Sequence, residues 1–262
     1  MLSEKQKADW NQKGFFIIEG FANPTVGNAM EQDIFGALRS SNPEQHTDAP
    51  FYFIDKMLVA FEGQADMNAA APEDKISKIF NTHLHGPCRE FAHSDKAADI
   101  VADLLGPNID VFQSQYIFKN PGAWGQPWHQ DSHYFTFNQQ PQVGLWLAIS
   151  EATLENGCLA VIPGSHKLPI LNHTPDSRPD ANYGYLEIDE SDFKAKNAEP
   201  VLMNPGDLLV FHSFLVHRSF DNQSKARRQA MVYHYGRAGT KAVDGSSANL
   251  SVVNHWVPVR RA

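Results

Sequence analysis

Ile109-Asp110-Val111-Phe112-Gln113-Ser114-Gln115-Tyr116-Ile117-Phe118-Lys119 is the stretch where the chain changes period. Val111, Gln113, Gln115, Ile117 and Lys119 alternate with Asp110, Phe112, Ser114, Tyr116 and Phe118, the two-residue repeat of a strand. Further strand candidates follow at 143–150, 158–162, 199–203, 207–212, 229–235 and 251–257, punctuated by Gly, Pro and Asn. Many short strands without intervening helices argue for an antiparallel sandwich or jelly roll, not a doubly wound sheet.

Upstream the pattern is different. Residues 4–13 read as a short helix ending at Gly14, and Phe15-Phe16-Ile17-Ile18-Glu19 as a strand stopped by Gly20. Asn23-Pro24-Thr25 opens a helix carrying Met30, Ile34 and Leu38 at helical spacing. Residues 40–50 are polar loop. The spacing predicts another helix from Ala71-Pro72-Glu73-Asp74 towards Phe80, and one more through Ala97, Ile100, Val101 and Leu104-Leu105 to Gly106-Pro107. The expectation is a mainly β chain with flanking helices: one domain over 1–262, helical over 1–107, with a jelly-roll core over 108–262. Residues 172–195, rich in Pro, Asp, Asn and Tyr, form the longest irregular insert of the β region, a length that often serves as a lid or binding loop.

Composition narrows the function classes. The 262 residues are 42% hydrophobic and 11% aromatic, enough for a sizeable core. Twenty-two Lys+Arg against 30 Asp+Glu leave a net charge of −8, which argues against a general nucleic-acid or anionic-membrane binder. Two cysteines, Cys88 and Cys158, are too few for a disulfide framework. The charged start Met1-Leu2-Ser3-Glu4-Lys5 lacks an apolar core segment, and no apolar run reaches a membrane span, so a cytoplasmic protein is expected.

Chemistry concentrates in Pro127-Trp128-His129-Gln130-Asp131-Ser132-His133-Tyr134-Phe135. In an extended strand His129 and Asp131 would share a face and supply two adjacent corners of a metal site. A third ligand must come from elsewhere. His212 and His217 both follow the buried run Leu208 to Phe211, and His212 also reads as a plain strand-end histidine. Arg228 lies 11 residues beyond His217 across a polar turn, so a hairpin could return it to the same cavity. Its fork suits a carboxylate held bidentately, whereas Arg227 beside it would face solvent. Two His and one carboxylate with three open positions is the arrangement of non-haem Fe(II) oxygenases.

His129-Gln130-Asp131, His217, Ser219 and Arg228, with Asn156-Gly157-Cys158-Leu159 and Ile162-Pro163-Gly164-Ser165-His166-Lys167 between them, resemble the phytanoyl-CoA dioxygenase family. The similarity runs from about residue 10 to 240, and is closest to the domain-containing members through 113–119 and 151–158. It implies a double-stranded β-helix (jelly-roll, cupin-like) core, Fe(II), 2-oxoglutarate as cosubstrate and O2. It implies His129, Asp131 and His217 as ligands, with Arg228 and Ser219 on the distal carboxylate of 2-oxoglutarate. Gln115, Gln130, Trp146 and Lys78 would line the cosubstrate site, although Lys78 also reads as a solvated helix lysine and Trp146 as core. Cys158 and the Pro163–His166 turn read as structural. Related halogenases carry a small residue where this chain keeps Asp131, so the resemblance favours hydroxylation.

The substrate wall is expected from His83, His85, His133, Tyr134, Phe135 and the 172–195 insert. No basic stripe suited to a CoA diphosphate stands out, which favours a small polar or amphipathic metabolite over an acyl-CoA. A zinc-dependent hydrolase and a catalytically silent jelly-roll binding protein are the rival readings. Oligomeric state is not legible.

Overall fold

The computed structural model describes residues 1–41, 50–63, 67–178, 185–243 and 253–262. Helix α1 (Glu4–Lys13) starts at a capping box between Ser3 and Gln6 and stops at Gly14, whose φ of 84° needs no Cβ. Strand β1 (Phe15–Ile18) leads to α2 (Pro24–Ser40), capped by Asn23, with Met30, Ile34 and Leu38 buried. Strands β2 (Phe51–Ile54), β3 (Met57–Phe61) and β4 (Ile76–Phe80) follow, then α3 (Gly86–Ala92), α4 (Asp95–Leu105) and β5 (Ile109–Ile117). Helix is still the larger part of the first hundred residues, but β2, β3 and β4 are sheet that the sequence reading did not anticipate.

The predicted helix ending at Phe80 is replaced by a single 3-10 turn, Pro72–Lys75, and β4. A bulge explains the error. Ala60 pairs with Lys78 and Phe61 with Ile76, so Ser77 is an extra residue. It turns Ile76 and Ile79 into the same core, at a three-residue spacing that imitates a helix.

The rest is a short helix α5 (Asp131–Tyr134) and strands β6 (Val143–Ala148), β7 (Leu159–Val161), β8 (Thr174–Pro175), β9 (Leu186–Glu187), β10 (Glu199–Val201), β11 (Leu208–His212), β12 (His217–Ser219), β13 (Ala230–Arg237) and β14 (Val257–Arg260). The large sheet runs β1-β11-β6-β13-β5-β4-β3-β2, with β14 also on β5, and the small sheet β10-β7-β12. Every pairing is antiparallel, as in a jelly roll. The strand expected at 251–257 lies later, at β14, and residues 251–252 are outside the described part.

Alternation decides which side chains meet the site. On β6, β11 and β13 one parity (Leu145, Leu147, Leu208, Val210, Met231, Tyr233, Tyr235) packs against α2, α3 and α4. The Tyr233 and Tyr235 hydroxyls donate to Cys88 and Ala92 carbonyls of α3 at 2.9 Å. The other parity (Trp146, Ala148, Leu209, Phe211, Ala230, Val232) faces β7 and β10 of the small sheet. Gly144 lets the sheet close there, since a Cβ would stand 2.2 Å from the Phe211 ring. No helix among the described residues is long and apolar enough to cross a membrane.

Candidate active site

His129 and Asp131 do not share a strand as expected. His129 makes an isolated bridge to His217, through reciprocal backbone bonds of 2.9 and 3.0 Å, while Asp131 opens α5. The side chains converge nonetheless. His129 Nε2 lies 3.5 Å and His217 Nε2 3.8 Å from Asp131 Oδ1, and among the described residues these three form the one cluster able to hold a metal ion.

The donor set fits a divalent cation. His129 Nδ1 lies 2.8 Å from the Pro127 carbonyl and His217 Nδ1 2.9 Å from that of Leu215. A carbonyl only accepts, so Nδ1 carries the proton and each Nε2 presents a lone pair inward. Burial, with His129 beside it, pulls His217 down to about 4, which keeps it neutral and ready to ligate near pH 7. Burial disfavours the Asp131 anion, but His217, His129 and His234 outweigh it and hold the carboxyl below its usual range.

Behind the triad lies a recess of ≈ 80 Å³ lined by Lys78, Gln115, Lys119, Trp146, Ser219 and Arg228 among others. Arg228 is 1% exposed, the largest fully buried side chain described. Its Nε and Nη2 donate to the Gly157 carbonyl at 3.2 and 3.0 Å, and its Nη1 has no partner. Trp146, its ring 5.5 Å from the guanidinium, leaves Nε1 unpartnered as well. Gly157 is needed here: φ is +88°, and a Cβ would press to 2.6 Å from both Lys119 Cδ and the Phe220 carbonyl. Burial lowers Arg228 to about 10, leaving it charged at pH 7. Arg227 turns away, to Asp74 and Asn120.

A second cavity of ≈ 260 Å³ adjoins the first, sharing Lys78, Gln115, Gln126, His129, Asp131 and Tyr185 with it. Phe61, Phe80, Tyr134 and Phe135 give it aromatic walls. The 172–195 insert contributes Tyr185, whose ring lies 5.0 Å from Lys78 Nζ, and ties down through Ile188 N to the Trp128 carbonyl at 2.8 Å. Residues 179–184 of the insert lie outside the described part.

Four expected site residues sit elsewhere. Gln130 is 0% exposed, but its amide donates to the Pro169 and Phe214 carbonyls and accepts from Leu171 N. Those bonds fix the 169–171 and 214 loops instead of facing the recess. His83 is locked between the Ser114 hydroxyl and the His255 carbonyl, both at 2.8 Å. His85 lies 3.5 Å from Asp55, and His133 stacks on His173 at 4.0 Å; neither lines either of these two cavities. Lys78 stands on β4, not on a helix, and does line both cavities.

Lining residues that the sequence reading did not assign to the site include Lys119, His234, Glu62 and Gln126. His234 Nδ1, buried and unpartnered, lies 3.8 Å from Asp131 Oδ2. Parity could have found two of them. Lys119 continues the Gln113, Gln115 face of β5, and His234 continues the Arg228, Ala230, Val232 face of β13.

A buried two-histidine, one-carboxylate cluster on a jelly roll, with a cationic recess behind it, is the constellation of non-haem iron, 2-oxoglutarate-dependent dioxygenases. The phytanoyl-CoA dioxygenase (PhyH) family profile matches residues 10–230. The mouse phytanoyl-CoA dioxygenase domain-containing protein 1 is 32% identical over 261 residues, covering 89% of each chain. The Arabidopsis thaliana phytanoyl-CoA dioxygenase is 29% identical over 253, covering 89% of this chain and 88% of its own. The crystal structure of SnoK, a non-heme alpha ketoglutarate dependent carbocyclase from nogalamycin biosynthesis, superposes with a TM-score of 0.69 at 19% identity, over 95% of this chain and 90% of that one. The chain belongs to the phytanoyl-CoA dioxygenase family, and is an Fe(II)/2-oxoglutarate-dependent dioxygenase.

Proposed function

We propose that His129, Asp131 and His217 hold Fe(II), that Arg228 and Ser219 grip the distal carboxylate of 2-oxoglutarate, and that the chain hydroxylates an unactivated C–H of a small amphipathic metabolite. The observation that carries the cosubstrate half is the orphaned Arg228 Nη1. A buried guanidinium donor with no acceptor is costly, and a carboxylate entering the recess would satisfy it. Trp146 Nε1, Lys78 and Gln115 line the same recess.

When bound, iron and 2-oxoglutarate supply the activation of O2, with overall conversion of R–H, O2 and 2-oxoglutarate to R–OH, succinate and CO2. The chain's own part is to bind, orient and exclude water. Phe61, Phe80, Tyr134 and Phe135 hold the apolar body of the substrate beside the triad, with Gln126 and Tyr185 as polar contacts. The Nδ1 bonds to Pro127 and Leu215 hold both imidazoles in the tautomer that ligates. Asp131 would hold a coordination position that a halide would otherwise need, which favours hydroxylation over halogenation.

The ≈ 260 Å³ cavity suits a compact metabolite in preference to a CoA thioester. The acyl-CoA class is the second reading, supported by the names of the relatives. A zinc hydrolase would leave Arg228 without a purpose. The deciding experiment is anaerobic purification with metal analysis, followed by a metabolite-library screen for substrate-dependent succinate release. Iron content with succinate release supports the proposal; bound zinc with no succinate from any compound overturns it.

A further inference from the structure

Lys119 sits two residues beyond β5, 5% exposed, with its ammonium in the same recess as Arg228. Nζ has three acceptors: the Phe220 carbonyl at 2.8 Å, the Trp124 carbonyl at 3.1 Å and Ser219 Oγ at 3.2 Å. The last bond bears on function. Ser219 Oγ also accepts from Gln126 N at 2.9 Å. A hydroxyl has two acceptor lone pairs and one proton, so both lone pairs are taken and only the proton is left to bond. Among the described residues no acceptor holds that proton, and Ser219 lines the recess.

We infer that Lys119 is a positioning residue for the cosubstrate, fixing the Ser219 hydroxyl so that it donates into the recess at an incoming carboxylate. The inference rests on the cosubstrate reading above. Lys119 forms no ion pair with a carboxylate among the described residues, so two buried cations, Lys119 and Arg228, share a recess without a bonded anion. Burial and the neighbouring Arg228 hold Lys119 well below the usual lysine range, and Glu62 works the other way. An anionic ligand would relieve the repulsion between the two cations. Gly157 makes the juxtaposition possible, because any larger residue there would displace the Lys119 stem.

A purely structural role, tying the end of β5 to the 124 and 220 backbone, predicts a different result from this one. The test is the ratio of affinities for 2-oxoglutarate and for 2-oxobutanoate, which lacks the distal carboxylate. It is measured by calorimetry without O2, with Mn(II) in the metal site. The wild-type protein should prefer 2-oxoglutarate. Lys119→Met should shrink that preference about tenfold, the scale of one charge-assisted hydrogen bond, because a fold defect cancels in the ratio. Ser219→Ala should shrink it similarly, and the double variant no further than the larger single loss. A wild-type ratio in Lys119→Met, or fully additive losses, overturns the inference. If Lys119→Met does not fold, Lys119→Gln is read in the same way, and a wild-type ratio in Ser219→Ala overturns the inference by itself. No preference in the wild-type protein would instead sink the cosubstrate reading.

Discussion

The two ends of the cavity are built on opposite terms. At the metal end each imidazole has spent one nitrogen on a backbone carbonyl, and the three donor groups that remain face one point: two ring nitrogens and one carboxylate. At the far end two donors lack an acceptor. Arg228 Nη1 and Trp146 Nε1 are orphaned, and two cations are buried side by side. One end is short of a cation and the other of an anion. A ligand that chelates metal through one carboxylate and carries another at its far end would answer both, which is the cosubstrate reading proposed above.

The comparison breaks most visibly at Asp131. Asp131→Ala takes the carboxylate from the metal end, and substrate-dependent succinate formation should fall to background with loss of bound iron; metal analysis of the purified variant checks it. At the other end, Arg228→Ala should cost on the order of 3 kcal/mol or more in 2-oxoglutarate binding, the scale of breaking a buried pair. Arg228→Lys keeps charge without the fork and should raise the 2-oxoglutarate KM more than it lowers kcat. Arg227→Ala, whose partners are Asp74 and Asn120, should leave cosubstrate affinity unchanged in the same titration.

Gln130 sharpens the contrast because it sits between two of the proposed metal ligands without belonging to either end. Gln130→Ala leaves three partly exposed backbone partners unmet and should cost about 1 kcal/mol or more of stability, read from denaturant unfolding, while the folded protein keeps its metal. Equal iron loss in Gln130→Ala and Asp131→Ala would show that the division is wrong. A further effect belongs to His83, away from both ends, and shows only in acid. Burial lowers it from 6.5 to about 4, so between those values the unfolded chain binds a proton the native one does not. Stability from this group is full above pH 6.5 and is lost as pH falls towards 4, by at most about 1.4 kcal/mol per pH unit. Unfolding curves of wild type and His83→Gln across that window should differ in slope by up to this amount.

What was legible in the sequence was whatever alternation and chain order can carry. Period two from Ile109 onwards marked the sheet, and the order of His129, Asp131, His217 and Arg228 marked the cavity. The helical reading of Ile76 and Ile79 failed because a bulge at Ser77 is set by pairing with β3, a partner some 17 residues upstream that local spacing does not reveal. His83 and Gln130 were misread for a related reason. A buried polar side chain next to a motif looks like a ligand until its hydrogen-bond partners are known, and those are distant backbone groups such as His255 and Pro169. Lys119 was missed in the opposite sense: its parity was visible, but its cost of burial is visible only in three dimensions.

Strand β1 has a consequence for handling the protein. It covers β11, pairing Phe15 with Phe211 and Ile18 with Leu208, and β11 has only β6 on its other side. A chain shortened past residue 18 would expose Leu208-Leu209-Val210-Phe211 as an uncharged sheet edge. The cost would fall on solubility more than on chemistry. Such a product should associate edge to edge and reach the insoluble fraction with its metal-binding residues still present, so an N-terminal trim is the wrong route to a smaller crystallisable form.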